Sequence, residues 1–97
     1  MIRRIVLFQF LPDAPDCEIG ACVGMLRALP RQIGGIREYE VGFHRQGREA
    51  RYHVSLLARF ADEESLRRYE AHPAHVAFVQ RVRQIRSDIL VFDYDEA

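Results

Sequence analysis

The stretch from Tyr69 to Val79, YEAHPAHVAFV, concentrates the side chains able to do chemistry. His72 and His75 stand three positions apart around Pro73, with Tyr69 just upstream. Histidine is the side chain whose ordinary pKa lets it trade a proton near neutrality. His75 is therefore the best candidate general base in the chain. Burial in an apolar pocket would favour its neutral form, and a neutral imidazole can take a proton from a carbon beside a carbonyl. A plainer reading fits the same position. His75 would then bond backbone at a helix break, with His72 as a capping neighbour.

Other chemistries find less support. Two histidines three apart can present two metal ligands from one helix, but Pro73 breaks that geometry and no acidic residue completes a set. No metal site is expected. His44 and His53 fall alone on separate strands, and Asp93 and Asp95, flanking Tyr94, are expected to face solvent. Cys17 and Cys22 lie five apart on a helix, about 140° around its axis, so they do not bridge each other. Two cysteines without ligand spacing suggest reduced thiols in cytoplasm. There is no glycine-rich phosphate loop and no nucleophile elbow, so no cofactor is expected.

All 14 basic residues are arginines, balanced by 14 acidic ones to a formal net charge of zero. A balanced chain has no field to gather nucleic acid or an anionic membrane. Near the start, the uninterrupted apolar run is only Ile5 to Phe8, too short for a signal peptide or a membrane span. The length of 97 residues indicates a single domain, 1–97.

The elements that must position these residues follow from periodicity. Residues 2–11 read as a strand stopped by Pro12 and Asp13. Asp13 would cap a helix running to about Leu29, with Ile19, Cys22, Val23, Leu26 and Leu29 on one stripe. Gly34 and Gly35 mark a turn before a strand over Ile36–Arg45, with Tyr39, Val41 and Phe43 on one face. Gln46–Glu49 is a hairpin tip, where Arg45, Arg48 and Arg51 surround a solvated turn. A third strand spans Tyr52–Phe60. Asp62 caps a short helix that Pro73 interrupts. The helix after Pro73 runs to about Arg86, with His75, Phe78, Val79, Val82 and Ile85 or Arg86 on its inner stripe. Residues 88–94 form the last strand.

The order is β-α-β-β-α-β, an α+β ferredoxin-like sandwich. Its first and last strands are apolar on both faces, and such strands are normally covered on both sides. The helices of this chain suffice for one face only. A second copy should cover the other through a two-fold interface, along Ile5, Leu7, Leu90 and Phe92. The partner expected is thus the chain itself.

The HPAHVAF segment and the strand after Arg4 resemble the Dabb family, the stress-responsive A/B-barrel domains, from Met1 to about Tyr94. The resemblance implies a dimeric α/β barrel with its sheets paired. It also implies that Arg4 points between sheet and helices toward the histidine of the HPxH stretch. A cavity would follow, lined by Arg4, Val6, Phe8, Cys22, Leu26, Val54, Leu56, Tyr69, His75, Phe78 and Val91. A plant polyketide cyclase of the family carries the nearly identical HPAHVGF. Its catalytic histidine matches His75 and its supporting tyrosine matches Tyr69. Two departures stand out. Where that cyclase has a second histidine this chain has Arg4, which stays charged and cannot serve as a base, though it can hold a carboxylate or an enolate. The aromatic that closes the cyclase pocket falls on Arg86.

Two functions are consistent with these residues. One is a homodimeric binding module for a small organic anion or carbonyl compound. The other is a cofactor-independent enzyme, a cyclase, lyase or monooxygenase-like protein, with His75 as base and Tyr69 as hydrogen-bond donor. Arg4 favours the module, because it removes one member of the cyclase's histidine pair.

Overall fold

The computed structural model describes all residues, 1–97. Strand β1 (Ile2–Phe10) is followed by helix α1 (Asp16–Gln32), strands β2 (Ile36–Phe43) and β3 (Val54–Phe60), helices α2 (Glu63–Ala71) and α3 (Pro73–Val82), and strand β4 (Arg86–Asp95). The strands form one sheet in the order β2-β3-β1-β4, with every pairing antiparallel. This is the ferredoxin-like order expected from the sequence, and all helices lie on one face of the sheet.

Alternation along β1 sorts the two faces. Arg4, Val6, Phe8 and Phe10 are buried beneath the helices, while Ile5, Leu7 and Gln9 point outward and stay part-exposed. The α1 stripe of Ile19, Cys22, Val23, Leu26 and Leu29 is buried as its spacing requires. Phe78 of α3 meets Phe8 edge-on, with ring centroids 6.1 Å apart and planes at 87°, a geometry aromatic pairs prefer. Such contacts seat α3 over β1, and α3 carries His75.

Helix α1 starts later than expected. Asp13 does not cap it; the helix begins at Asp16 after Pro15. A proline disfavours the helical conformation in the residue before it, so Ala14 is held outside and Asp13 falls in a preceding turn. The same helix passes through Pro30 to Gln32, and its end is closed by the Ile33 N–H donating to the Leu29 carbonyl at 2.9 Å. Helix α3 is shorter than expected and ends at Val82, not near Arg86. Residues 83–85 form a tight turn, with N–H groups of Gln84 and Ile85 donating three residues back, because Arg86 is already paired with Phe10 in the sheet.

The hairpin tip also differs from a merely solvated turn. Arg48 donates to the carbonyls of Leu11, Pro12 and Ala14 and pairs with Asp16 at 3.1 Å. It ties the β2–β3 connection to the start of α1. Gly35 occupies the left-handed region at φ 87° in the turn before β2, where glycine carries no steric penalty. No helix is long and apolar enough to cross a membrane.

Candidate functional site

The break between α2 and α3 places the histidines. Pro73 sits in the first turn of α3, where its missing N–H costs nothing. His72 caps that helix: its Nδ1 accepts from the Ala74 N–H at 3.1 Å. His75 follows one turn later and is half-buried. Its Nδ1 lies 3.1 Å from the Glu70 carbonyl oxygen. A carbonyl only accepts, so Nδ1 of the neutral ring carries the proton and Nε2 keeps the lone pair. Nε2 makes no hydrogen bond within the chain, and it is not sealed from solvent. The two readings of His75 therefore coincide: one nitrogen bonds the helix break, and the other remains available as a base.

The His75 ring packs on Tyr69, with centroids 4.5 Å apart. Tyr69 is almost wholly buried and also packs on Phe60. Its hydroxyl is 2.8 Å from the hydroxyl of Tyr39 on β2. Burial pushes both phenols above their usual pKa, so both stay protonated. Burial also lowers the pKa of His75; the Glu70 carbonyl and the Glu70 charge oppose this shift, and Arg4 adds to it.

Arg4 lies next to this group, buried as expected, but its charge is already matched. Its Nε and Nη2 grip both oxygens of Asp93 at 2.8 and 2.9 Å, and Nη2 also reaches Glu70 at 3.0 Å. Asp93 is exposed, as expected from the sequence, yet it also holds Arg4, a pairing the sequence did not show. Asp93 stands directly opposite Arg4 in the β1–β4 register, on the helix-covered side. The guanidinium holds the Asp93 carboxyl below its usual range, and the two carboxylates raise the Arg4 pKa further. The trio carries one net negative charge, so Arg4 is not an open anion receptor.

A cavity of about 220 Å³ opens between α3, α1 and the sheet. Of the residues expected to line it, Arg4, Val6, Phe8, Leu26, Leu56, Tyr69, His75, Phe78 and Val91 do so. Cys22 and Val54 do not; they pack the adjoining core with Phe10 and Val23. Glu70, Val79, Val82, Arg86 and Ile89 complete the lining. Glu70 and Ile89 were not singled out from the sequence. Strand alternation from Val91 puts Ile89 and Asp93 on the same side, a signal usable only once the register is known. Glu70 had no such signal, because the sequence of α2 presents it as one more solvent-face acid.

The hydroxyl pair gives a first test. Tyr69→Phe strands the part-buried Tyr39 hydroxyl and should cost about 1–2 kcal/mol. The double change with Tyr39→Phe should recover part of that loss. Urea denaturation of the four proteins measures it, and additive losses would show that the two hydroxyls are uncoupled.

Comparison with known proteins places the fold. The model of the stress responsive A/B barrel domain matches residues 2–96. The chain belongs to this family. An uncharacterized protein from Streptomyces coelicolor is 31% identical over 97 residues, covering 98% of this chain and 99% of its own length. Among solved structures, a Dabb family protein with a ferredoxin-like fold from Mesorhizobium loti is 27% identical. It covers 99% of this chain and 96% of its own, with a TM-score of 0.81. A dimeric protein of unknown function with a ferredoxin-like fold from Bacteroides fragilis is 26% identical. It covers 98% of this chain and 95% of its own, with a TM-score of 0.83. Within the A/B-barrel family no specific activity follows from membership.

Proposed function

We propose that this A/B-barrel protein is a homodimeric module that binds a small organic molecule, an anion or a carbonyl compound with an apolar body. The observation that carries this reading is the cavity itself: mostly apolar walls with one accessible histidine nitrogen. Such a combination of apolar lining and few polar groups is the usual character of a ligand site. Pairing through the outer sheet face leaves the cavity on the opposite side, under the helices. The two unbridged cysteines, Cys17 exposed and Cys22 buried, fit a reducing compartment such as the cytoplasm.

A second reading, a cofactor-independent enzyme, is supported by the fixed tautomer of His75. Held by the Glu70 carbonyl and kept neutral by burial, Nε2 is suited to take a proton from a carbon beside a carbonyl. Tyr69 supports the ring through packing; its hydroxyl is engaged with Tyr39. Arg4, locked between Asp93 and Glu70, supplies little to a developing enolate.

Acetophenone separates the readings. Titration should shift the methyl resonances of Val79, Leu56 and Val91; no saturable shift would sink the binding reading. Deuterium exchange at the acetophenone methyl group tests catalysis. The base form of His75 is needed, so the rate should rise with pH through a pKa below the usual 6.5 and level off above it. His75→Ala should remove that pH-dependent part. Binding without accelerated exchange would leave the module and remove the enzyme.

A further inference from the structure

Arg86, at the rim of the cavity, is out of step with its own strand. On β4, Ile89, Val91 and Asp93 lie opposite Phe8, Val6 and Arg4 and share their helix-covered face. Strict alternation would place residue 87 on that face and send Arg86 outward. The register slips by one residue between Gln9, which pairs with Asp88, and Phe10, which pairs with Arg86. Ser87 is the extra residue of this β-bulge. Its hydroxyl is 2.9 Å from the Gln9 side-chain oxygen and 3.3 Å from the Gln9 carbonyl. A bulge of this kind re-aims a side chain. Here it turns Arg86 to the cavity side, where it is half-buried and lines the wall.

The charges around the cavity give this placement a purpose. Arg4 and Glu70 are paired with each other at 3.0 Å. The Arg86 guanidinium makes no hydrogen bond or ion pair within the chain, although the side chain borders the apolar side chains of Val79, Val82 and Ile89. A guanidinium fork matches a carboxylate in two parallel hydrogen bonds. The Arg4–Asp93–Glu70 trio, with one net negative charge, repels an anionic head at the other end.

We propose that Arg86 is the anchor for a carboxylate, and that the cavity takes small monocarboxylates with an apolar body lying along Val79, Val82, Ile89 and Val91. The proposal rests on the cavity being the ligand site and adds the chemical class and orientation of what enters it.

Hexanoate and its neutral analogue hexanamide test both layers, followed by methyl shifts of the intact protein, Arg86→Gln and Arg86→Lys. Hexanoate should bind the native protein roughly tenfold more tightly than hexanamide, the size of one charge-assisted hydrogen-bond pair. In Arg86→Gln that ratio should fall to about one, and Arg86→Lys should keep part of the preference. Equal binding of both probes by the native protein, or an unchanged ratio in Arg86→Gln, would overturn the anchor while leaving the cavity as a binding site. If neither probe shifts the cavity methyls of the folded protein, the cavity reading falls and the anchor falls with it.

Discussion

Replacing Leu7 with aspartate should leave a monomer. Light scattering coupled to size exclusion at micromolar concentration should fall from twice the chain mass to 11.3 kDa, and Phe92→Asp should do the same. The outer face of the sheet carries a continuous apolar patch. In one row Leu57, Ile5 and Phe92 stand side by side, and in the next Leu7 pairs with Leu90. Phe92 is 62% exposed and Leu90 48% exposed in the single chain. A polar row bounds the patch at one end, where Arg3 and Arg59 pair with Glu38 and Glu96. A patch this apolar with a polar rim is the usual anatomy of an interface. A two-fold contact would bury two new aspartates, one from each copy, and an unpaired buried charge costs several kcal/mol. Leu7 points away from the helices, so the fold of the single chain should survive, with its far-ultraviolet dichroism intact. A native protein that runs as a stable monomer, or a Leu7→Asp dimer, would remove the homodimer from the proposal.

The same physical reasoning shows which features the sequence made legible. Strand and helix periods are local, so the element order, the α1 stripe and the outward set of Ile5 and Leu7 follow from spacing alone. The apolar composition of both faces of β1 also implied a missing cover. Register is not local. Asp93 belongs to Arg4 only because β4 pairs with β1 in one alignment, and a reading of 88–94 in isolation showed its exposure but not its partner. Spacing put Arg86 at the end of a helix and only the resemblance put it at the pocket; in the strand it occupies, a single extra residue at Ser87 reverses the face that alternation would assign. The position of α1's first turn depended on Pro15 rather than on the more familiar capping signal of Asp13. Resemblance to a family placed Tyr69 and His75 in one cavity. It did not foresee that Tyr39 holds the Tyr69 hydroxyl, or that two carboxylates hold Arg4, because Tyr39, Glu70 and Asp93 lie outside the HPAHVAF stretch and the opening strand that carry the resemblance.

That locked arginine leads to the second large effect. Arg4→Met should destabilise the protein at pH 7 by about 1–3 kcal/mol, less than a fully buried pair because both carboxylates are part-exposed. Methionine fills the aliphatic volume of the arginine stem, so the loss reports the stranded charges of Asp93 and Glu70 rather than a void. The pH dependence gives the sign. Asp93 has a folded pKa below its usual value, so its pair with Arg4 contributes stability above the unfolded carboxyl pKa of about 3.9. That contribution is lost as pH falls through the folded value. Native protein and Arg4→Met should therefore converge in stability as the pH is lowered toward 3. Guanidinium denaturation at matched protein concentration measures both curves. Adding Asp93→Asn and Glu70→Gln to Arg4→Met should restore part of the loss at pH 7, because the unmatched charges are then gone. A constant gap across the pH range would mean that Arg4 acts by packing alone. The trio would then place no electrostatic constraint on what enters the cavity.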